Sequence, residues 1–219
     1  MSSILNITFF IHLTGYQSIF HCPPFVTVVL LNLMIDRLKQ RLAQLRKQYI
    51  VDPERTKSAV LVPLYVKNGE YYVLLIQRTD RVKTHKGQIS FPGGRCEEAD
   101  CSVKETALRE AQEEIGLNPQ AVTIIGELDD MATNESRYII SPVVGVIPCP
   151  YDFKVDEWET EEVIEMPLSC LADTRNRETG TSVISGKTIV SYTYRCGDKV
   201  IWGATARILK QLMDLLSES

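Results

Sequence analysis

Three glutamates with helical spacing are the residues of this chain best suited to chemistry. Glu110, Glu113 and Glu114 precede Gly116, and at about 100° per residue they fall within an arc of roughly 100° on a helix. Carboxylates one turn apart repel one another and weaken the helix. A divalent cation removes this repulsion, and Mg²⁺ and Mn²⁺ prefer oxygen ligands. The alternative interpretation is a solvated acidic face that binds nothing.

The neighbouring residues predict the helix that would position these glutamates. Ser102 followed by Glu105 is a capping-box pattern at its start, and Gly116 stands where a left-handed residue would end it. Its apolar side is formed by Ala107, Leu108, Ala111 and Ile115. The Gly-Gly turn upstream, Phe91-Pro92-Gly93-Gly94, and the Arg-Glu pair at positions 109 and 110 favour a metal site over a solvated face.

The second half of this stretch resembles the Nudix box, written G-x5-E-x7-R-E-U-x-E-E-x-G-U with U aliphatic. Residues 109–117 match it position by position, with Ala111 as a small aliphatic residue. The first half fits a spacing that is one residue longer, Gly94-x5-Asp100-x8-Arg109-Glu110. That longer form resembles the coenzyme A pyrophosphatase branch of the Nudix hydrolases.

A second motif of that branch, L-L-x-x-R-S/T-x5-H-x-G-x3-F-P-G-G, lies directly upstream. It reads Leu74-Leu75-Ile76-Gln77-Arg78-Thr79, then His85-Lys86-Gly87-Gln88-Ile89-Ser90 before the turn at Phe91. With weaker likenesses downstream, the resemblance covers most of residues 36–217. It implies an α/β (α+β) fold, the Nudix α/β/α sandwich, in which a mixed β-sheet lies between helices.

The same resemblance implies a metal-dependent hydrolase. Its substrate would be coenzyme A or a thioester of it, split at the diphosphate into adenosine 3′,5′-bisphosphate and (acyl-)4′-phosphopantetheine. The cofactor would be Mg²⁺ or Mn²⁺. The expected metal ligands are Glu110, Glu113 and Glu114 together with the Gly94 carbonyl.

Further residues are needed for proton transfer and for support of the glutamates. One of the three glutamates, or an acidic residue of a later loop, would accept the proton of the attacking water. Glu162 is our candidate from the later loop, and a purely structural charged loop is the alternative. Arg109 is expected to pair with a carboxylate of the box. The candidates for that partner are Asp100, Glu97 and Glu98.

The loop between the two motifs is basic and is expected to bind the substrate. Basic side chains and backbone N–H groups can hold the diphosphate and the 3′-phosphate of coenzyme A. A solvated loop, with His85 as a hydrogen-bonded turn residue, is the alternative. The substrate-binding candidates that the resemblance implies are Arg78, Thr79, Arg81, His85, Gly87 and Gln88.

Two other functions stay open at this point. One is a Nudix hydrolase of another nucleoside diphosphate derivative, such as ADP-ribose, a dinucleotide or a nucleoside triphosphate. The other is a catalytically silent module that binds a nucleotide. The intact Arg109-Glu110-x2-Glu113-Glu114 pattern argues against the silent module, because a sensor has less need of the full acidic cluster.

Composition sets broader limits on the chain. Its 219 residues, 44% hydrophobic and 24% charged, predict one ordinary globular domain. A net charge of −4 gives no general attraction to nucleic acid, so the expected partner is a small nucleotide, with a homodimer as an open alternative. The six cysteines contain no C-x2-C pair and favour reduced thiols in the cytoplasm, with a disulfide as the alternative.

The start of the chain differs from the rest, because no Asp, Glu, Lys or Arg precedes Asp36. We therefore predict a non-essential, uncharged extension over residues 1–34, with Met34 as an alternative start, and a Nudix domain over residues 35–219. A weak membrane anchor is the alternative for the extension. The apolar run Phe25–Ile35 is too short to span a bilayer, so stable membrane insertion is not expected.

Periodicity and turn residues predict the remaining elements. A helix should run from Ile35 to the Val51-Asp52-Pro53 segment, and a final helix should open at Ile201, with Gly203 allowing close approach to the sheet. Asn68-Gly69 predicts a hairpin turn. The predicted strands are Ala59–Val66, Tyr71–Ile76, Val122–Gly126, Tyr138–Ile147, Ser182–Ile184 and Thr188–Tyr194.

Overall fold

The computed structural model describes residues 24–81, 86–133, 136–184 and 187–217. The helices are α1 Pro24–Gln44, α2 Val103–Ile115, α3 Leu168–Ala172 and α4 Gly203–Ser217. The strands are β1 Thr56–Lys67, β2 Glu70–Arg78, β3 Ile89–Ser90, β4 Gly93–Arg95, β5 Thr123–Glu127, β6 Met131–Ala132, β7 Tyr138–Val146, β8 Thr160–Pro167, β9 Arg177–Ile184, β10 Lys187–Cys196 and β11 Lys199–Ile201.

The central sheet is mixed and is organised around β1. Its main path runs β3-β2-β1-β7-β5, and β4, β6 and β8 pair with β1, β7 and β2 respectively. Strands β1 and β7 are parallel, whereas β1 and β2 form an antiparallel hairpin. Asn68 and Gly69 turn that hairpin with φ values of 53° and 81°, as expected for a type I′ turn. The predicted hairpin is therefore confirmed.

Alternating side chains give the sheet two apolar faces. Leu61 of β1 and Leu74 of β2 lie in a core with Ala111 of α2. Their neighbours Val62 and Leu75 lie in a second core with residues of α1 and α4. Helices therefore cover both faces of a mixed sheet, and the predicted α/β/α sandwich is confirmed.

Helix α1 differs from the prediction at both ends. It begins at Pro24 rather than Ile35 and ends at Gln44. Beyond the helix, the backbone N–H of Gln48 donates to the Asp129 side chain and that of Ile50 donates to the Asp130 side chain. These N–H groups therefore bond outside the helix and do not continue it. The earlier part of the predicted extension, residues 1–23, lies outside the described residues.

No helix among the described residues has both the length and the apolar character needed to cross a membrane.

A second, smaller sheet joins β9, β10 and β11 in antiparallel order, which confirms the predicted hairpin, although its turn at Ser185 and Gly186 lies outside the described residues. Cys170 of α3 and Cys196 of β10 form a disulfide. The expectation of reduced thiols is therefore wrong for this pair, whereas Cys96, Cys101 and Cys149 are free. The sequence separation of 26 residues hid the pairing, because only the fold brings these two elements together.

The role expected of Gly203 is also corrected. A Cβ atom at this position would meet nothing within 4 Å, so the glycine does not serve close approach to the sheet. Its φ of +67° is the feature that favours glycine. It allows the chain to turn from Trp202 into α4.

Candidate active site

Helix α2 carries the acidic residues and is fixed at both ends as predicted. The Ser102 hydroxyl accepts a 3.3 Å hydrogen bond from the Glu105 N–H. The Glu105 carboxylate accepts one of 2.8 Å from the Cys101 N–H, one residue before the donor of a standard capping box. Gly116 ends the helix in the left-handed conformation, with φ of 66°.

Two glycines bring the backbone of β4 against this helix. The Gly93 N–H donates a 2.9 Å hydrogen bond to Oε2 of Glu114. A Cβ atom on Gly94 would lie 2.5 Å from the carboxyl group of Glu110. Any larger residue at position 94 would therefore displace that carboxylate, so glycine at this position preserves the place of the Glu110 side chain.

Glu114 is the most enclosed carboxylate of the site. Its side chain is 4% exposed and accepts a 3.0 Å bond from Nη1 of Arg78. Burial raises the pKa of Glu114 to about 7, while the Gly93 N–H and the charge of Arg78 oppose that rise. Burial also raises the pKa of Glu110. Both carboxylates therefore lie where additional positive charge would stabilise their ionised forms.

Arg109 joins the helix to the loop before it. Its Nε and Nη2 atoms donate to the two carboxylate oxygens of Asp100 at 3.1 and 3.0 Å. Of the three candidates for this partner, Asp100 is therefore the one that Arg109 binds, rather than Glu97 or Glu98. The hydrogen bonds from Arg109 hold the pKa of Asp100 well below its usual range. Nη1 of Arg109 also donates to Glu110 at 2.9 Å and to Glu113 at 3.1 Å.

The predicted metal ligands are neighbours but do not converge. Across the described parts of the chain, no three His, Cys, Asp or Glu side chains are grouped so that they could hold a metal ion. Arg109 binds Glu110 and Glu113, and Arg78 binds Glu114. An arginine thus contacts one oxygen of each of the three carboxylates, and Glu113 points outward with 59% of its side chain exposed.

Glu162 is not brought to this cluster. It lies on β8 opposite Gln77 and pairs with Lys199 of β11. Glu159, at the entrance to β8, comes closer, because its Oε2 lies 3.3 Å from Nη2 of Arg78, whose Nη1 binds Glu114. Glu159 is therefore the acidic residue of this later segment that contacts the cluster, whereas Glu162 does not.

The sequence held no signal that separated these two glutamates, since both belong to one acidic run. The choice depends on how β8 pairs with β2. Arg78 stands opposite Thr160, and the register shifts between Gln77 and Arg78. This non-local pairing leaves Glu159 beside the arginine and turns Glu162 toward Lys199.

The predicted substrate loop divides into residues that face the cluster and residues that support it. Arg78 is inside the cluster through its bonds to Glu114 and Glu159. Thr79 is buried, and its hydroxyl donates to the Trp158 carbonyl at 2.7 Å. Thr79 therefore anchors the segment before β8, and the structure does not place it in the open part of the site.

Gly87 and Gln88, farther along the predicted substrate loop, are hydrogen-bonded to the backbone of Arg78. The Gly87 N–H donates to the Arg78 carbonyl at 3.1 Å, and the Arg78 N–H donates to the Gln88 carbonyl at 3.0 Å. Arg81 lies over the Trp158 ring, with 5.9 Å between its guanidinium carbon and the ring centre. His85 lies outside the described residues.

These features together define a class. A glycine turn packed on an acidic helix, within an α/β/α sandwich, is the arrangement of a Nudix-fold protein. The family profile described as NUDIX domain matches residues 55–184, which is more than half of the chain. The chain belongs to the NUDIX domain family.

Curated relatives agree with this assignment. The protein named "Uncharacterized Nudix hydrolase NudL" from Shigella flexneri serotype 5b (strain 8401) is 33% identical over 193 residues, covering 83% of this chain and 94% of the relative. The protein of the same name from Citrobacter koseri has the same identity and the same coverage.

Solved structures show the same fold. A MutT/nudix family protein from Enterococcus faecalis aligns with a TM-score of 0.52 and 15% identity over 79% of this chain and 71% of its own. A NUDIX hydrolase from Alicyclobacillus acidocaldarius aligns with a TM-score of 0.52 and 17% identity over 75% of this chain and 93% of its own. At these identities the comparison supports the fold and carries no information on the substrate.

Proposed function

We propose that this chain is a metal-dependent hydrolase that splits the diphosphate of coenzyme A or its thioesters, releasing adenosine 3′,5′-bisphosphate and (acyl-)4′-phosphopantetheine. The observation that carries the proposal is the 3.0 Å contact between Arg78 and Glu114. Arg78 belongs to the motif that resembles coenzyme A pyrophosphatases, and Glu114 belongs to the acidic helix. The two motifs, separate in sequence, therefore share one site.

The donor set has the oxygen chemistry that a divalent cation prefers, although its carboxylates do not converge while Arg78 and Arg109 bind them. Glu114 is buried with a pKa raised to about 7, and Gly94 leaves just enough space for the Glu110 carboxylate. Glu110, Glu113 and Glu114, with the Gly94 carbonyl, would hold Mg²⁺ or Mn²⁺ once Glu113 turns away from Arg109. The bound ion would neutralise phosphoryl charge and make water more acidic.

Protein side chains would supply the remaining steps. Arg78 binds the carboxylates of Glu114 and Glu159, and a diphosphate oxygen could replace one of them on its guanidinium group. Glu159 is 44% exposed beside Arg78 and would accept the proton of the attacking water. Arg109, bound to Asp100, would hold α2 against the preceding loop and act as a positioning residue.

The test is a substrate panel with the full chain in Mg²⁺ or Mn²⁺. Coenzyme A, acetyl-coenzyme A, ADP-ribose and a dinucleoside polyphosphate are incubated separately, and their products are resolved by chromatography. We expect adenosine 3′,5′-bisphosphate from the coenzyme A substrates at a kcat/KM at least tenfold above the others. Preferred cleavage of ADP-ribose or the dinucleotide would overturn the substrate assignment, and binding without any turnover would favour a silent nucleotide-binding module.

A further inference from the structure

A pocket of about 460 Å³ opens beside the candidate active site, on the other face of the sheet. Gln77 and Ile89, the paired residues of β2 and β3, line its floor. Side chains alternate along β2. Since Ile76 packs into the core beneath α2 and Arg78 binds Glu114, Gln77 points to the opposite face. The pocket is therefore distinct from the acidic cluster.

One wall of the pocket is an exposed aromatic side chain. Trp202 is 53% exposed and follows Val200, which is 40% exposed. The backbone that carries Trp202 is fixed, because Ile201 before it is buried and the Thr205 hydroxyl of α4 donates to the Ile89 carbonyl at 3.1 Å. An exposed indole on an anchored backbone is a surface on which a flat aromatic ring can stack.

Two lysines line the same pocket. Lys199 is held by Glu162 and by a 3.4 Å contact with Gln77. Lys86 is exposed, and among the described residues no carboxylate lies within ion-pair distance of it. Asp198 offsets part of the positive charge at the rim. Among the described residues that line the pocket, Lys86 is therefore a cation that can bind an anionic ligand.

Arg78 contacts both the residues of the pocket and the acidic cluster. Gly87 and Gln88, which line the pocket, form the two backbone hydrogen bonds to Arg78 described above. The side chain of Arg78 binds Glu114. The pocket and the acidic cluster therefore share the same end of β2.

We propose that this pocket binds the phosphorylated purine nucleoside end of the substrate, with the base stacked on Trp202 and a phosphate of the sugar paired with Lys86. The inference deepens the proposed function, on which it rests, by naming a nucleoside subsite. Trp158, 63% exposed beside Arg81, is the other exposed indole and the competing platform. The chain contains only these two tryptophans, so fluorescence can separate them.

The experiment uses two single-tryptophan proteins in the absence of divalent metal. Trp158→Phe leaves Trp202 as the reporter, and Trp202→Phe leaves Trp158. Each is titrated with adenosine 3′,5′-bisphosphate. We expect saturable quenching in Trp158→Phe and none in Trp202→Phe. Quenching only in Trp202→Phe, or in neither protein, would overturn the proposal.

The role of Lys86 is tested in the Trp158→Phe background. Lys86→Ala should weaken the binding of adenosine 3′,5′-bisphosphate by about tenfold, as expected for loss of one charge-assisted contact. It should weaken the binding of adenosine 5′-monophosphate much less, because that nucleotide lacks the 3′-phosphate. Lys39→Ala removes a lysine from the exposed side of α1 and serves as the matched control. A phosphate contact at Lys86 would be contradicted if Lys86→Ala weakened the binding of both nucleotides equally. It would also be contradicted if Lys39→Ala weakened binding as much as Lys86→Ala.

Failure of this inference can be distinguished from failure of the proposed function. If the wild-type chain hydrolyses coenzyme A but the fluorescence of Trp202 is not quenched, the proposed hydrolase is supported and the nucleoside subsite is wrong. If the fluorescence of Trp202 is quenched but no diphosphate is cleaved, the nucleoside subsite is supported and the proposed hydrolase is wrong. In an active enzyme, Lys86→Ala should raise KM for coenzyme A about tenfold with little change in kcat.

Discussion

At the residue scale, the candidate site is a set of carboxylates held by two arginines. Arg109 binds Asp100, Glu110 and Glu113, and Arg78 binds Glu114. Arg78 also binds Glu159, which adds the segment before β8 to this set. The arginines offset the repulsion that the sequence analysis assigned to the glutamates. Metal binding would therefore have to compete with internal cations for the carboxylate oxygens.

The position of Glu159 leads to a prediction about proton transfer. Glu159→Gln should lower kcat for coenzyme A hydrolysis by roughly 100-fold, the scale of a lost general base, and should leave KM nearly unchanged. Glu162→Gln should change kcat by no more than about twofold, because Glu162 pairs with Lys199 away from the cluster. Steady-state kinetics on the two variants measure the contrast, and the reverse ranking would restore Glu162 as the base.

Asp100 leads to a prediction about pH. Its pKa is lowered from 3.8 in the folded protein by the bonds from Arg109. The folded state therefore favours the ionised form, and this contribution is present above pH 4 and is lost as pH falls below it. Asp100→Asn should reduce the free energy of unfolding by roughly 2 kcal/mol at pH 7, and by progressively less toward pH 3.

Urea denaturation at pH 7, 5 and 3 measures this difference. Asp152→Asn removes a carboxylate from an exposed loop position and controls for the loss of charge. A destabilisation by Asp100→Asn that is equally large at pH 3 would show that the side chain acts through packing and not through its charge.

At the element scale, the glycine turn and α2 form one unit. A Cβ atom on Gly93 would lie 2.4 Å from the carbonyl oxygen of Ala59, which is backbone of β1. A Cβ atom on Gly94 would instead meet the carboxyl end of the Glu110 side chain. The first obstacle is fixed and the second can move, so the two glycines should respond differently to substitution.

The prediction is that Gly93→Ala damages the fold and Gly94→Ala damages the site. Gly93→Ala should lower the free energy of unfolding by about 2 kcal/mol or more, as expected for overpacking against backbone. Gly94→Ala should cost less than about 1 kcal/mol yet reduce hydrolysis at least tenfold. Urea denaturation and activity assays on both variants test this, and equal stability losses would contradict the account of the turn.

Elements specified by local rules could be predicted from the sequence. The Ser102 cap, the Gly116 stop and the Asn68-Gly69 turn each depend on a few adjacent residues, and all three are present. The start of α1 at Pro24 could not be predicted, because the amphipathic spacing on which the helix was predicted begins only at Ile35. Glu159 was missed because its place depends on the pairing of β8 with β2.

At the scale of the whole molecule, a disulfide cross-links the small sheet to helix α3. The Cys170–Cys196 disulfide joins α3 to β10 and closes a loop of 26 residues. By loop entropy, reduction should lower the free energy of unfolding by about 3 kcal/mol. Urea denaturation with and without reductant measures this. Cys170→Ser should be insensitive to reductant, and an unchanged wild-type midpoint would contradict a stabilising link.

The fold and the outline of the site were both predictable at this scale, because two long motifs specify the sandwich and the acidic helix together. The disulfide and the pocket at Trp202 were not, since each joins elements that are distant in the sequence. What the motifs could not supply is the arrangement of charges across the site. That arrangement depends on how the arginines distribute among the carboxylates.

The most direct test of the account is coenzyme A hydrolysis by the wild-type chain, Glu113→Gln and Glu114→Gln, each with Mg²⁺ or Mn²⁺ and with a chelator. Glu161→Gln, a change at an exposed position of β8, is the matched control. We predict that the wild type and the control release adenosine 3′,5′-bisphosphate only with metal, and that both helix variants lose at least 100-fold in kcat. Full turnover in the chelator, or in both helix variants, would contradict the metal-dependent site on α2.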